Sequence, residues 1–360
     1  MDISKSIQTK VSFGSEVYQK IMQKLSIIDT FKGSWNSVEH KESRYLKELR
    51  KIATIESIGS STRIEGATLT DEEVEKLLKS VKINKLDSRE EQEVIGYYEA
   101  LQVILDNYEE ITLSERYIHQ LHGILMKYST KDQNHKGQYK QLSNKVVANY
   151  PNGSQKVIFR TTEPHLTAPE MQSLLEWTNK VLENQLMPPV MAAAVFVYEF
   201  LSIHPYQDGN GRLSRLLTTL ILLKYGYKFI QYVSFEHVIE ERKEEYYRAL
   251  MEGQKDRYNG KEQIGQWVNY FLDSLIVLTK RLEAKYETYS KLKTALNERQ
   301  QKVLEFMKAN KTARIGDLGQ EMAYSRNTLK KDLQYLVKEG LLLMTGSGRG
   351  TLYHYKEKKQ

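Results

Sequence analysis

Two apolar segments of helix length, separated by a short polar link, constrain this chain more than any other feature. VMAAAVFVYEFLSI (190–203) and RLSRLLTTLILLKYGY (212–227) are apolar on most faces, so each reads as a helix buried in a core. The link between them, HPYQDGNG (204–211), is polar and rich in glycine, and it opens the second helix. The first residues of a helix leave backbone N–H groups without partners, and the helix dipole adds partial positive charge there. Such an entrance suits an anion.

Five residues of the link, with the two arginines that follow it, then have chemical tasks. Gly209 and Gly211 let the backbone turn its amides inward and let a phosphate come close. Asn210 adds a neutral donor, and Arg212 and Arg215, three apart, share a helix face that can meet neighbouring phosphates. Asp208 would repel a bare phosphate, so its presence points to a divalent cation, magnesium by preference, between carboxylate and phosphates. His204 can accept a proton near neutral pH. The bland alternative is a polar turn with His204 as a helix C-cap. A phosphoryl- or nucleotidyl-transfer site accounts for more of the residues.

The rest of the chain keeps a helical period. In SERYIHQLHGILMKY (114–128), Ile118, Leu121, Ile124 and Leu125 recur at helical spacing and Ser114 is placed to cap the helix. Similar patterns predict helices over 15–27, 43–60, 71–80, 89–107, 169–184, 189–203, 213–225, 236–252 and 263–294. One stretch departs from the pattern. In NKVVANYPNGSQKVIFRT (144–161) the β-branched runs Val146–Val147 and Val157–Phe159 flank Pro151-Asn152-Gly153, which predicts a hairpin. The expected fold class is mainly α.

HPYQDGNGRLSR (204–215) resembles the signature of the Fic family, His-x-Phe-x-Asp/Glu-Gly-Asn-Gly-Arg-x-x-Arg, with Tyr206 in place of the usual Phe. The resemblance spans about residues 110–275 and takes in GQYK (137–140), the hairpin and EEYYRAL (244–250). It implies a Fic-type helical core with a β-hairpin flap, and transfer of AMP from ATP to a Ser, Thr or Tyr hydroxyl of a target protein. His204 would then deprotonate the hydroxyl and Asp208 would hold magnesium. The Gly209–Gly211 amides and Asn210 would hold phosphate oxygens, and Arg212 and Arg215 would steady the β and γ phosphates. Tyr247 would contact adenine. The flap, about 144–160, would align the target by strand pairing.

Upstream, ESIGSSTRIEGATLT (56–70) reads locally as a helix end with Gly66 as its cap. Beside the signature, its string from Ser61 to Glu65 and Gly66 resembles the family's inhibitory motif, Ser/Thr-x-x-x-Glu-Gly/Asn. That resemblance implies that Glu65 pairs with Arg215 and repels the γ-phosphate.

The chain's net charge of +7 is unevenly placed. Residues 297–360 hold thirteen Lys/Arg against seven Asp/Glu, a net +6. The segment reads as three short helices and two strands about a glycine-rich turn, an order that resembles a winged helix-turn-helix. Ser325 caps the third helix, and Leu329, Leu333 and Leu336 face inward. Arg326, Asn327, Lys330 and Lys331 face outward, with Arg349 on the wing, where DNA could be met. The expected division is a helical N-terminal region (1–108), a catalytic domain (109–280), a linker helix (281–296) and the basic module (297–360).

Other residues carry less. His119 and His122, at i and i+3, lack further ligands nearby and read as packing or capping residues, and His165 reads as a loop residue. Trp177 and Trp267 read as core. Absence of cysteine removes disulfides, thiol nucleophiles and cysteine zinc sites. No apolar run nears the roughly 20 residues that span a bilayer, and the opening MDISKSIQTK lacks the apolar core of a secretory signal. A cytoplasmic protein without membrane contact is expected. Two alternatives stay open: a Fic enzyme with another donor or one that removes AMP, and a DNA-binding regulator whose Fic body acts as a sensor. The target, self-modification and a homodimer stay open as well.

Overall fold

Helices dominate because apolar residues recur three and four apart along nearly the whole chain. The computed structural model describes residues 3–39, 43–80, 86, 88–130, 135–149, 155–259 and 261–356. In chain order the first elements are α1 (Ile3–Lys10), α2 (Ser15–Glu39), α3 (Ser43–Ile64), α4 (Asp71–Ser80), α5 (Arg89–Asn107) and α6 (Glu115–Leu125). Strands β1 (Lys145–Asn149) and β2 (Gln155–Arg160) follow. Then come α7 (Pro164–Glu183), α8 (Pro189–Ile203), α9 (Asn210–Lys224), α10 (Phe235–Glu241), α11 (Lys243–Gln254) and α12 (Gly265–Ala295). The chain divides into two compact units, residues 1–282 and 283–360.

In the first unit, α8 buries every side chain from Val190 to Ile203, and α9 buries every one from Leu213 to Leu223. The two helices pack against each other, with α7 on α8 and with α5 and α6 on α9. Buried Trp267 donates its indole N–H to the Ala194 carbonyl at 2.7 Å, tying α12 to α8, and Trp177 is buried as expected. Several helix starts follow local chemistry. Ser88 and Glu91 form a reciprocal capping box on α5, Ser114 caps α6, and Pro189 opens α8.

β1 pairs antiparallel with β2, Lys145 opposite Arg160, with an irregularity between Val146 and Val147. The hairpin is therefore present, while its Pro151-Asn152-Gly153 turn lies outside the described residues. Other boundaries differ from expectation. The stretch 236–252 is two helices broken at Arg242, whose guanidinium binds Glu245 and Ser274 and sits over the Tyr270 ring. Helix α2 continues to Glu39, well past the expected end, because Trp35 and Phe31 pack on Tyr232 and Phe229. His165 lies in the first turn of α7, not in a loop.

The second unit holds α13 (Glu298–Asn310), β3 (Thr312–Ala313), α14 (Ile315–Glu321), α15 (Arg326–Lys338), β4 (Leu342–Thr345) and β5 (Leu352–Tyr355). Val303, Met307, Leu318, Leu329, Leu333, Leu336 and Leu342 form its core. Ser325 caps α15 through the Thr328 N–H, as expected. The sheet order is β3-β5-β4, so β3 is a strand beyond the expected pair. Among the described residues, no helix is long and apolar enough to cross a membrane.

Candidate active site

The link between α8 and α9 is a strained bend held from several sides. His204 ends α8 with φ 53 and ψ 60, the left-handed region, and its N–H still donates to Phe200 at 2.8 Å. A non-glycine residue there costs on the order of 1 kcal/mol or more and persists where the surroundings enforce it. Tyr206 is fully buried and stacks flat on His122, ring centres 3.8 Å apart, so the aromatic anchor is kept. Gly209 turns the chain into α9 with φ 81, a conformation that favours glycine.

His119 and His122 are packing and capping residues, as expected. His122 accepts from the Gly137 N–H through Nδ1 at 2.9 Å and faces the Asp208 carbonyl through Nε2 at 3.1 Å. Both ring nitrogens are thereby engaged in holding the bend. His119 Nδ1 lies 2.8 Å from the Tyr206 hydroxyl. Among the described residues no cluster of three or more His, Asp or Glu forms a metal cage.

The bend walls a cavity of about 220 Å³. Its polar side consists of His204, Gln207, Asp208, Gly209, Asn210, Gly211, Arg215 and Glu65, with Lys145 from the flap. Its apolar and aromatic lining is Ile64, Val146, Leu201, Tyr246, Tyr247 and Leu250, so Tyr247 does reach the wall. Sequence reasoning missed Gln207, Lys145, Tyr246 and Leu250.

His204 has the state a proton acceptor needs. Its Nδ1 lies 3.3 Å from the Leu201 carbonyl, and donation there leaves Nε2 with a lone pair. Burial first, then the Lys140 ammonium, push its pKa down to about 4 against the opposing pull of Glu65 and Asp208. The imidazole is neutral at neutral pH. Burial pushes the Asp208 carboxyl up, yet Arg212, the Gly209 N–H and Arg89 outweigh it and hold the group below its ordinary range.

Two expectations for this loop need correction. Asn210 is not a spare donor: its carboxamide accepts from the Tyr206 N–H at 2.8 Å and donates to the Tyr206 carbonyl at 2.7 Å. Both ends bind the bend's own backbone, which leaves the side chain to shape the loop. Arg212 and Arg215 do not share a destination. Arg212, 1% exposed, is not among the cavity-lining residues and lies 3.3 Å from Asp208 and 3.5 Å from Glu93. Arg89 bridges the same two acids at 3.3 and 2.7 Å, closing a ring of alternating charges. Glu93 arrives on α5, far away in sequence, and it draws Arg212 behind the carboxylate.

Arg215 is held from the N-terminal region. Buried Ser61 accepts from its Nε at 2.8 Å and, through its carbonyl, from Nη2 at 2.9 Å. Glu65 accepts from Nη2 at 2.9 Å. A Cβ added at Gly211 would collide with the Glu65 carboxylate, so Glu65 lies over the opening of α9. Gly66, φ 109, turns the chain just after α3, as the helix-end reading expects. The helix is anchored there by Arg63, which donates to Glu240 at 2.7 and 3.0 Å and to Asp71 at 2.9 Å.

Asp208 is the one carboxylate of the bend that could serve as a magnesium ligand, and its other neighbours are Arg89, Arg212 and the Gly209 N–H. Such an ion uses one or two protein carboxylates and takes its other oxygens from water and phosphate. Asp208 is an anion on the cavity wall, and the helix opening beside it suits the phosphates.

Residues 112–222 match the Fic/DOC family, and residues 299–349 match the DeoR-like helix-turn-helix domain. The protein adenylyltransferase Fic of Drosophila grimshawi is 30% identical over 195 residues, which cover 53% of this chain and 37% of that protein. That of Drosophila willistoni is 28% identical over 209 residues, covering 57% and 39%. The chain thus spans well under half the length of these relatives. A Fic family protein from Desulfovibrio desulfuricans superposes with a TM-score of 0.65 at 22% identity, covering 98% of this chain and 99% of that one. Fic-1 from C. elegans superposes with a TM-score of 0.58 at 21% identity, covering 76% and 74%. At these identities the structural likeness is one of fold.

Proposed function

We propose that this chain, which carries a Fic domain over residues 112–222 and a DeoR-like helix-turn-helix domain over residues 299–349, is an ATP-dependent protein adenylyltransferase restrained by its own Glu65. One observation carries the reading: the His204 imidazole and the Asp208 carboxylate line one cavity together with the first residues of α9. That combination serves an alcohol that must lose a proton and a polyphosphate that must be held.

His204 accepts the proton of the target Ser, Thr or Tyr hydroxyl as its oxygen bonds to the α-phosphorus of ATP. The bond to the bridging oxygen breaks, pyrophosphate leaves with that electron pair, and the imidazolium returns its proton to solvent. Magnesium, when bound at Asp208, neutralises phosphate charge. Arg212, Arg89 and the Gly209 N–H hold Asp208 in place, and the amides of Asn210 and Gly211 at the start of α9 donate to phosphate oxygens. Once freed of Glu65, Arg215 meets the terminal phosphates. Tyr247 and Leu250 offer the apolar wall for adenine. The edge of the β1–β2 hairpin receives the target segment as an added strand. Positioning and charge stabilisation supply most of the rate in transfers of this kind.

The test is incubation with labelled ATP and magnesium, wild type beside Glu65→Gly and His204→Ala, followed by mass mapping of any adduct on added protein or on the chain itself. An AMP adduct made by Glu65→Gly and lost in His204→Ala supports the reading. A UMP or phosphate adduct would replace the donor, and AMP removal would reverse the direction.

A second reading concerns the tail alone. Arg326, Asn327, Lys330 and Lys331 are all exposed on α15, the third helix of a helix-turn-helix. Duplex DNA is the partner that surface fits. The side chain of Arg349, expected on the wing, lies outside those described.

A further inference from the structure

Four successive backbone carbonyls around His204 are gripped from the root of the flap. Lys140 Nζ donates to the Ile203 carbonyl at 2.8 Å, and the Lys140 backbone N–H donates to the Pro205 carbonyl at 2.9 Å. Asn144 Nδ2 reaches the His204 carbonyl at 3.4 Å and the Tyr206 carbonyl at 2.8 Å. Lys140 thus holds peptide groups on both sides of His204, at the point where the backbone is left-handed. Asn144, four positions on, holds the carbonyls that alternate with them.

Lys140 is an unusual choice for a brace. It is buried, and among the described residues no carboxylate pairs with it. Its other acceptors are neutral, Asn144 Oδ1 at 2.9 Å and Thr161 Oγ1 at 3.0 Å, with Glu163 and Glu170 acting only at longer range. Burying an ammonium without an ion pair is costly, and the negative end of α8 at Ile203 offsets part of that cost. A neutral donor could make the same hydrogen bonds. What the ammonium adds is positive charge behind the imidazole, where Glu65 and Asp208 contribute the opposing charges.

We infer that Lys140, together with Asn144, is a positioning residue for His204: the pair fixes the bend that presents the imidazole, with the ammonium standing behind the ring. The same contacts tie the base to the flap. Asn144 directly precedes β1, and Thr161, bonded to both Lys140 and Asn144, directly follows β2. The surface that receives the target hydroxyl and the group that deprotonates it are therefore fixed to one another. The inference rests on His204 being the proton acceptor proposed above.

The experiment uses the full chain in the Glu65→Gly background. Lys140→Met is expected to lower kcat on the order of 100-fold while KM for ATP changes less than about threefold, since misplacing a reacting group affects the chemical step more than binding. The His204 signal, followed by carbon-13 NMR and assigned by its loss in His204→Gln, is expected to titrate about one pH unit higher. Asn144→Ala keeps the charge, so kcat should fall by roughly tenfold with the titration unmoved. A Lys140→Met protein whose kcat and His204 titration both match the parent would overturn the inference. Should Lys140→Met not fold, Asn144→Ala decides, and an unchanged kcat there overturns it. If Glu65→Gly itself transfers no AMP, the reading of function falls. The imidazole titration in Lys140→Met then still decides whether Lys140 acts on His204.

Discussion

Arg215 donates to the carboxylate of Glu65 at 2.9 Å across 150 positions of chain. The guanidinium is almost fully buried while the carboxylate is about one-third exposed. Two of the three acceptors around Arg215 come from Ser61, so the arginine keeps two hydrogen bonds if Glu65 leaves. Those acceptors are neutral, so a buried cation without Glu65 favours another anion in its place. Ser61 keeps the cation in place, and the Glu65 carboxylate, with Arg215 Nη1 beside it, occupies the space above Gly211.

Removing the carboxylate should raise activity. A hydrogen bond to a charged group is worth about 1.5–3 kcal/mol, which corresponds to roughly 10- to 150-fold in rate or affinity. Glu65→Gly is expected to increase AMP transfer within that range and to increase the thermal shift produced by ATP. Equal transfer by the two proteins in a labelled-ATP assay would remove Glu65 from the regulation.

The seat of α3 can be loosened without touching the cavity. Arg63, two residues before Glu65, binds Glu240 through two nitrogens and also holds Asp71 and the Leu69 carbonyl. Lys243 adds a bond to the Ile64 carbonyl at 2.8 Å. Arg63→Ala should free the end of α3, lower stability by about 1–3 kcal/mol and raise basal transfer, though less than Glu65→Gly does. Melting curves and transfer assays on the same samples check this. A lower Tm with unchanged transfer would mean that Glu65 keeps its place without Arg63.

The sequence revealed what local chemistry controls. Helices α4, α5 and α8 begin and end where their acidic first turns, caps and prolines indicate, and the bend between α8 and α9 announces itself by glycine and charge. What stayed hidden depends on groups that meet only after folding. Nothing near Arg212 in sequence says that Glu93 will sit beside it, and nothing near Arg242 says that Tyr270 will receive it. Asn210 could serve a phosphate or its own backbone with equal chemistry, and the closeness of Tyr206 in the folded bend decides. The pairing of Glu65 with Arg215 came from likeness to a motif, because their separation lies beyond any local rule.

The pH dependence follows from the depressed imidazole. His204 has its pKa pushed from 6.5 down to about 4, so the basic form persists as pH falls until that value. For Glu65→Gly, which also removes the upward pull of Glu65 on the imidazole, the acid limb of kcat/KM that reports the free base is expected no higher than about pH 4. Between pH 6.5 and 4 the unfolded chain binds more protons at this site than the folded one, so this group's contribution to stability also declines as pH drops through that window. A limb at pH 6.5 in the rate profile would mean that the imidazole is not desolvated.

The tail offers a prediction that is independent of the cavity. On α15, Leu329, Leu333 and Leu336 are buried, while Arg326 and Lys330, and Asn327 and Lys331, stand one turn apart on the exposed side. The acid on this helix, Asp332, is buried and bound by Arg299, so it does not oppose a phosphate at the surface. If that face meets DNA, each lysine that touches a phosphate releases counterions on binding. Lys330→Ala and Lys331→Ala should each weaken duplex binding about equally across sequences and lower the slope of log K against log salt by roughly one. Arg326→Ala or Asn327→Ala, nearest the start of the helix where base edges are read, should instead change sequence preference. Fluorescence anisotropy on random and selected duplexes between low and moderate salt distinguishes the two effects. Binding that does not respond to salt, or no binding at low salt, would assign this face to a protein partner.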